Sequence, residues 1–177
     1  MILASPFREQ ASDNPLRRMT LDDLFRRAVA RGGDAVAILD PPDRRNFTDG
    51  EPKRLTYAEA DRVVAAIAAR LKEIGLKTDA LVALQLPNTV ESVLVLLAAL
   101  RAGMIVALLP LLWRQAEAAQ ALSRVGARAL ITCRRIGPVD HGELAMPIAA
   151  ETFTIRFLCA FGEDPLDGVV SLDGVFD

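Results

Sequence analysis

A chain of 177 residues that is 51% apolar and 25% charged has the balance of a globular domain able to build its own core without staples. Its formal net charge of -2 and pI near 5.5 speak against a nucleic-acid surface, which shows as a basic stripe. Two cysteines without CxxC spacing, Cys133 and Cys159, and a lone His141 speak against a zinc site.

The opening MILASPFREQ has four apolar residues and no charged leader, so it is no signal peptide and a cytoplasmic protein is expected. Residues 1–19 read as an extended lead-in. Thr20 then opens a helix in TLDDLFRRAVARGG. Leu21, Leu24, Phe25, Ala28 and Val29 recur at helical spacing, and Asp22 and Asp23 complement the positive end of the helix dipole. AVAIL (35–39) reads as a strand, DPPDRRNFTDGEP as a mobile turn-rich loop, and KRLTY as a returning strand of an antiparallel hairpin. The arginine pairs Arg17/Arg18, Arg26/Arg27, Arg44/Arg45 and Arg134/Arg135 lie among acids and read as solvated surface.

Thr56 and Glu59 form a T-x-x-E capping box, in which each side chain satisfies an orphan backbone N–H. Val63, Ile67, Leu71 and Ile74 trace the apolar face of the helix that follows. Asn88 with Glu91 repeats the start signal before a helix apolar nearly all round, which places it between layers. VLVLLAALRAGMIVALLPLLW, Val93 to Trp113, has the length of a membrane span. Gly103 breaks it, because a glycine just past a helix is a stop signal and β-branched residues follow at once. The reading is helix from Val93 to Ala102, strand from Met104 to Leu109, and no span.

The same punctuation recurs at Gly32, Gly75 and Gly126, each time followed by a short apolar run, as in a chain of α/β units. Buried parallel strands lose alternation because both faces are covered. WRQAEAAQALSRVG supplies a further helix, with Leu122 and Val125 inward and Arg114, Glu117 and Arg124 outward, and ARALIT its strand. HGELAMPIAAETF is helix-like but interrupted by Pro147, which begins, kinks or ends a helix. TIRFLCAFG returns to strand, and residues 163–177 are turn-rich with no evident element. The expected architecture is one α/β domain over 1–177, three-layered αβα around a mainly parallel sheet, with an N-terminal antiparallel hairpin.

The segment from LTYAEA to LRAGMIVALLP strongly resembles the N-terminal part of the AMP-forming adenylating enzymes, the acyl-CoA synthetases and their relatives. LTYAEA (Leu55 to Ala60) looks like that family's L-T-Y-x-E-L motif, and LRAGMIVALLP (Leu100 to Pro110) like its L-K-A-G-x-x-x-x-P motif. With the LPN turn at Leu86 to Asn88 and GARALIT at Gly126 to Thr132, the resemblance covers roughly residues 20 to 135. It implies a parent ligase that uses ATP, Mg²⁺ and CoA, of which this chain is an N-terminal piece. The family's phosphate-binding Ser/Thr/Gly-rich loop and its catalytic lysine have no counterpart here, and no cofactor is expected on the chain itself.

Carboxylate activation places charge on oxygens that backbone amides, Mg²⁺ and a cation must hold. A segment without those groups is expected to be inactive alone, with no catalytic residue, and to have the remainder of the ligase as its partner. The mean hydropathy of +0.25 fits surface meant to be covered, by that remainder or by a second copy in a homo-oligomer.

Trp113 and Arg114, just past the Met104 strand, are the candidate substrate-binding residues, since open α/β sheets gather ligands beyond the carboxyl ends of their strands. The plainer reading packs Trp113 at a helix start and leaves Arg114 on the surface. Two other classes of function are open: a complete, non-catalytic α/β binding or dimerisation module, and a small flavodoxin-shaped enzyme with Asp40 or His141 as its working group.

Overall fold

In the computed structural model, which describes residues 19–162 and 166–176, two helices start where the local chemistry dictates. α1 (Leu21–Gly32) is capped by Thr20, whose hydroxyl accepts the Asp23 N–H while the Asp23 carboxylate accepts the Thr20 N–H, both at 3.0 Å. α2 (Tyr57–Glu73) has the expected Thr56/Glu59 box, with bonds of 3.2 and 2.8 Å; such a cap contributes about 1 kcal/mol. Between them β1 (Val36–Leu39) and β2 (Arg54–Thr56) form the antiparallel hairpin. The lead-in expected over 1–19 lies almost wholly outside the described residues.

Next come β3 (Leu81–Leu84), α3 (Val90–Arg101) and β4 (Ile105–Leu108). They divide the long apolar run as expected: α3 ends at Arg101 and the chain turns at Gly103, with φ +76°. The Arg101 guanidinium reaches Asp22 of α1 at 2.8 Å and Asp61 of α2 at 2.6 Å, so the one charge in the run joins three helices. Among the described residues no helix is long and apolar enough to cross a membrane.

The remaining elements are α4 (Gln115–Val125), β5 (Ala129–Cys133), a short antiparallel pair β6 (Arg135–Ile136) and β7 (Val139–Asp140), α5 (His141–Glu151), β8 (Phe157–Phe161) and β9 (Val170–Ser171). Five strands form one all-parallel sheet in the order β4-β3-β5-β8-β9. Alternation sorts the strand side chains by face. Val82, Leu84 and Ile131 pack with Ile67, Leu71 and Leu94 of α2 and α3. Ala83, Leu130 and Leu158 pack with Leu122 of α4 and Ile148 of α5. Each large side chain buried this way contributes roughly 1.5–3 kcal/mol.

Three expectations need correction. Val125 is 49% exposed, because it ends α4: the chain reverses at Gly126, φ +70°, and Ala127 fills the core instead. α5 continues past Pro147, so that proline neither begins nor ends the helix. Loss of that one N–H is tolerated where Ala145 and Ile148 hold both neighbouring stretches in the core. The tail is not without structure, since β9 adds a fifth strand through Cys159↔Val170 and Ala160↔Ser171 and residues 173–176 form a 3₁₀ turn.

Candidate functional site

The first parallel strand, β3, sends its successor β4 to one side and the next strand, β5, to the other. Counted along the sheet this is the order 2-1-3-4-5, and the crevice beyond the carboxyl ends of β3 and β5 is the topological switch point where such sheets bind ligands. Gln85 stands at its floor. Its backbone N–H donates to Ile131 O at 2.9 Å, its carbonyl accepts the Thr132 hydroxyl at 3.0 Å, and its side-chain amide donates to Pro110 O at 3.0 Å and Trp113 O at 3.1 Å. One buried side chain thus holds β3 and the turn after β4 together.

Above Gln85 the crevice is filled from within. The 40–53 loop, expected to be a mobile turn, is anchored across the switch point by a buried charge cluster. Asp40 accepts Val90 N–H at 2.8 Å, and so caps α3 from fifty residues away. It also accepts Lys53 N–H at 2.9 Å and Arg44 Nη1 at 2.6 Å. Arg44 grips Glu91 with two bonds of 2.8 Å and donates Nε to Asp49 O at 3.0 Å. Lys53 Nζ reaches Glu91 at 2.7 Å and sits 4.8 Å from the centre of the Phe176 ring.

The loop is also tied to the end of β5. Arg135 donates Nε to Asp49 at 2.9 Å and Nη2 to Thr48 O at 2.8 Å, and the Thr48 hydroxyl donates to Arg135 O at 2.9 Å.

Two sequence readings fail here. Arg44, taken as solvated surface, is buried, and Glu91, taken as the partner of Asn88 in a helix start, is buried beside it. The N-cap of α3 is Thr89, with no side-chain cap bond of its own, because the remote Asp40 carboxylate supplies it. The readable signal was an i,i+4 Asp40–Arg44 pair and one acid on an otherwise apolar helix, a charge that burial tolerates only when paired.

Burial pushes the Glu91 carboxyl up, but hydrogen bonds from Arg44 and Lys53, with the Lys53 charge, outweigh it and hold it at about 2. Arg44 is raised above its ordinary value: burial disfavours its charge, and Glu91 and Asp40 more than restore it. Burial pushes the neighbouring Cys133 thiol up to about 12.

The space left between Arg44, Asp49, Leu86, Glu91, Cys133 and Gly162 is about 10 Å³, room for about one water. Next to it, beyond the ends of β3 and β4, lies an open apolar groove of about 390 Å³ whose walls include Leu86, Val93, Leu96, Leu108 and Leu111, with Asn88 and Ser92 as its polar groups. Trp113 is half-buried in the turn that Gln85 holds, its backbone N–H donating to Pro110 O at 3.1 Å. Arg114 is exposed at the start of α4, where its N–H donates to the Glu117 carboxylate at 3.2 Å. The two candidate residues therefore stand on the rim of the carboxyl-end face.

Asp40 and His141 are the alternative working groups of the small-enzyme reading. Asp40 is committed to the charge cluster. His141 begins α5, buried, with Nδ1 unpartnered among the described residues and its pKa lowered by burial and by the Arg114 charge. Among the described residues no group of three His, Cys, Asp or Glu could hold a metal ion.

The sequence profile of the family described as AMP-binding enzyme matches residues 25–159. A salicyl-AMP ligase / salicyl-S-ArCP synthetase from Mycobacterium tuberculosis is 30% identical over 81% of this chain and 25% of its own length. A long-chain-fatty-acid–CoA ligase from Escherichia coli is 34% identical over 67% of this chain and 19% of its own. The crystal structure of an anthranilate CoA ligase in complex with anthranoyl-AMP shares the fold, with a TM-score of 0.74 at 19% identity over 88% of this chain and 27% of that one. The chain thus spans about a quarter or less of the length of these relatives. With both motifs and most of its length inside the matched region, the chain belongs to the AMP-binding enzyme family.

Proposed function

We propose that this chain serves as the N-terminal scaffold segment of an ATP-dependent, AMP-forming acyl-CoA (carboxylate–thiol) ligase, and that it does not activate a carboxylate alone. The observation that carries this reading is the filled crevice at the switch point. The cations Arg44, Lys53 and Arg135 around it are each committed to carboxylates, and the free space holds about one water. The residues present do not fit a triphosphate or its Mg²⁺.

ATP, Mg²⁺ and CoA belong on this reading to the parent protein, with the phosphate loop and catalytic lysine supplied outside these 177 residues. Trp113 and Arg114, on the rim, face the acyl or thiol substrate there, in the cytoplasm. The chain's similarity to a salicyl-AMP ligase and a long-chain-fatty-acid–CoA ligase supports the class.

Carboxylate-dependent ATP–pyrophosphate exchange tests the reading. The native gene product in its full reading frame is expected to catalyse exchange, and the 177-residue chain none. Exchange by the isolated chain would overturn the scaffold assignment, and its absence from the native product would overturn the ligase assignment.

A further inference from the structure

The two edges of the parallel sheet are treated differently. β9 is two residues long, preceded by Asp167 and followed by Asp173, whose carboxylate accepts the Gly162 N–H at 3.0 Å. Short, charged edges are how sheets avoid edge-to-edge pairing. β4 has no such protection among the described residues: Ile105–Leu108 contains no charge and no proline, and the one strand neighbour described for it is β3.

Ile105 and Leu109 donate their N–H groups to Ala80 and Leu84 of the β3 side, at 3.0 and 2.8 Å. Because donors alternate along a ladder, the N–H and C=O of Val106 and Leu108 point to the open side. Val106 packs with the α2/α3 core and Leu109 with the α4/α5 core, so Val106 and Leu108 share one face and Ile105, Ala107 and Leu109 the other.

That pattern is self-complementary. A two-fold axis perpendicular to the sheet through Ala107 sets Val106 opposite Leu108 of a second copy and Leu108 opposite its Val106. Both are hydrogen-bonded antiparallel pairs whose side chains keep to the same face. Any register shifted by one residue points the free N–H groups away from their acceptors.

Leu108, which walls the apolar groove, then lies against Val106 of the second copy. Val93, Ile105, Leu108 and Leu112 are 41%, 50%, 69% and 87% exposed. With the strand backbone they expose on the order of 500 Å² per copy, about 1,000 Å² over two, and burying all of it reaches the lower bound for a specific interface. We propose that two copies of this chain associate through their β4 edges, antiparallel about Ala107, to continue one sheet across both.

Ala107→Cys in the 177-residue chain tests the axis directly, because the native Cys133 and Cys159 are buried and do not compete. Residues facing each other in a non-hydrogen-bonded pair bring their Cβ atoms within about 4.5–5.5 Å. Oxidation is therefore expected to yield a covalent dimer roughly tenfold or more faster than Ser123→Cys, on the exposed side of α4, as an effective concentration in the millimolar range dictates.

Val106→Pro removes an outward N–H that β3 does not use, and Leu108→Lys puts a charge on the edge. Each is expected to convert a dimer by light scattering into a monomer with an unchanged far-UV spectrum. A monomer of the parent chain at high micromolar concentration would overturn the proposal, as would equal cross-linking at both cysteines. Those outcomes would leave the edge open or hand it to a strand elsewhere in a longer polypeptide. A dimer that survives both edge variants would place the contact on another surface and overturn it equally.

Discussion

Glu91→Gln removes one charge from the cluster that plugs the switch point, and the structure sets the size of the effect. The carboxyl titrates near 4.5 in an unfolded chain and at about 2 in the fold, a depression of between two and three units, or ~3 kcal/mol. Because the folded value is the lower one, the contribution is complete above pH 4.5 and drains away as the pH falls toward 2.

The glutamine also leaves Arg44 buried with Asp40 as its one remaining carboxylate, and breaking a buried pair from one side costs roughly 3–5 kcal/mol. Urea unfolding followed by circular dichroism should therefore place Glu91→Gln about 3 kcal/mol below the parent at pH 7. The gap should shrink as the pH approaches 2, where the parent carboxyl protonates too. Arg44→Met added to Glu91→Leu should not recover the loss, because it takes the Arg44 guanidinium from the buried Asp40 carboxylate as well. A gap below about 1 kcal/mol at pH 7 is within the range of ordinary substitutions and would refute the reasoning, as would a gap that does not change between pH 7 and the acid end.

Glycine variants separate backbone strain from collision. Gly126→Ala, at φ +70° with nothing within 4 Å of the new methyl, should cost only the left-handed backbone term of about 1 kcal/mol. Gly103→Ala meets Thr78 Cγ2 at 3.1 Å and Gly162→Ala meets Arg134 Cβ at 2.6 Å, so thermal midpoints should fall in that order; equal losses at all three would contradict it. Gln85→Leu removes both bonds to the Pro110–Trp113 turn. Trp113 is the single tryptophan, so its emission should shift to the red while the far-UV spectrum holds, and unchanged emission would show that Gln85 does not position the turn. Burial pushes both thiols up to about 12. Cys133 and Cys159 should therefore ignore an aromatic disulfide reagent at pH 8 until denaturant is added, and rapid labelling of the native chain would place them elsewhere.

Local chemistry explains what could be read along the chain. Capping at Thr20 and Thr56 and the stops at Gly103 and Gly126 depend on residues within a few positions of one another, and a backbone carries those rules wherever it goes. The apolar runs at Leu81–Leu84 and Ala129–Cys133 announced strands covered on both faces, because a strand between helix layers has no solvent side. The same reading went wrong at Arg44 and Glu91, forty-seven positions apart, where each charge taken alone looks like surface.

Sequence by itself thus determined the α/β alternation, the break at Gly103 and the kinship with adenylating enzymes, since periodicity, caps and motifs are short-range properties. Only the tertiary structure decided that β3 is the switch point, that Asp40 caps a helix fifty residues on, and that a charge cluster fills the crevice where a ligand would otherwise lie. The physical reason is dielectric and distance. A charge becomes structural only when folding removes its water and brings its partner to hydrogen-bond range, and neither event is written in the spacing of residues.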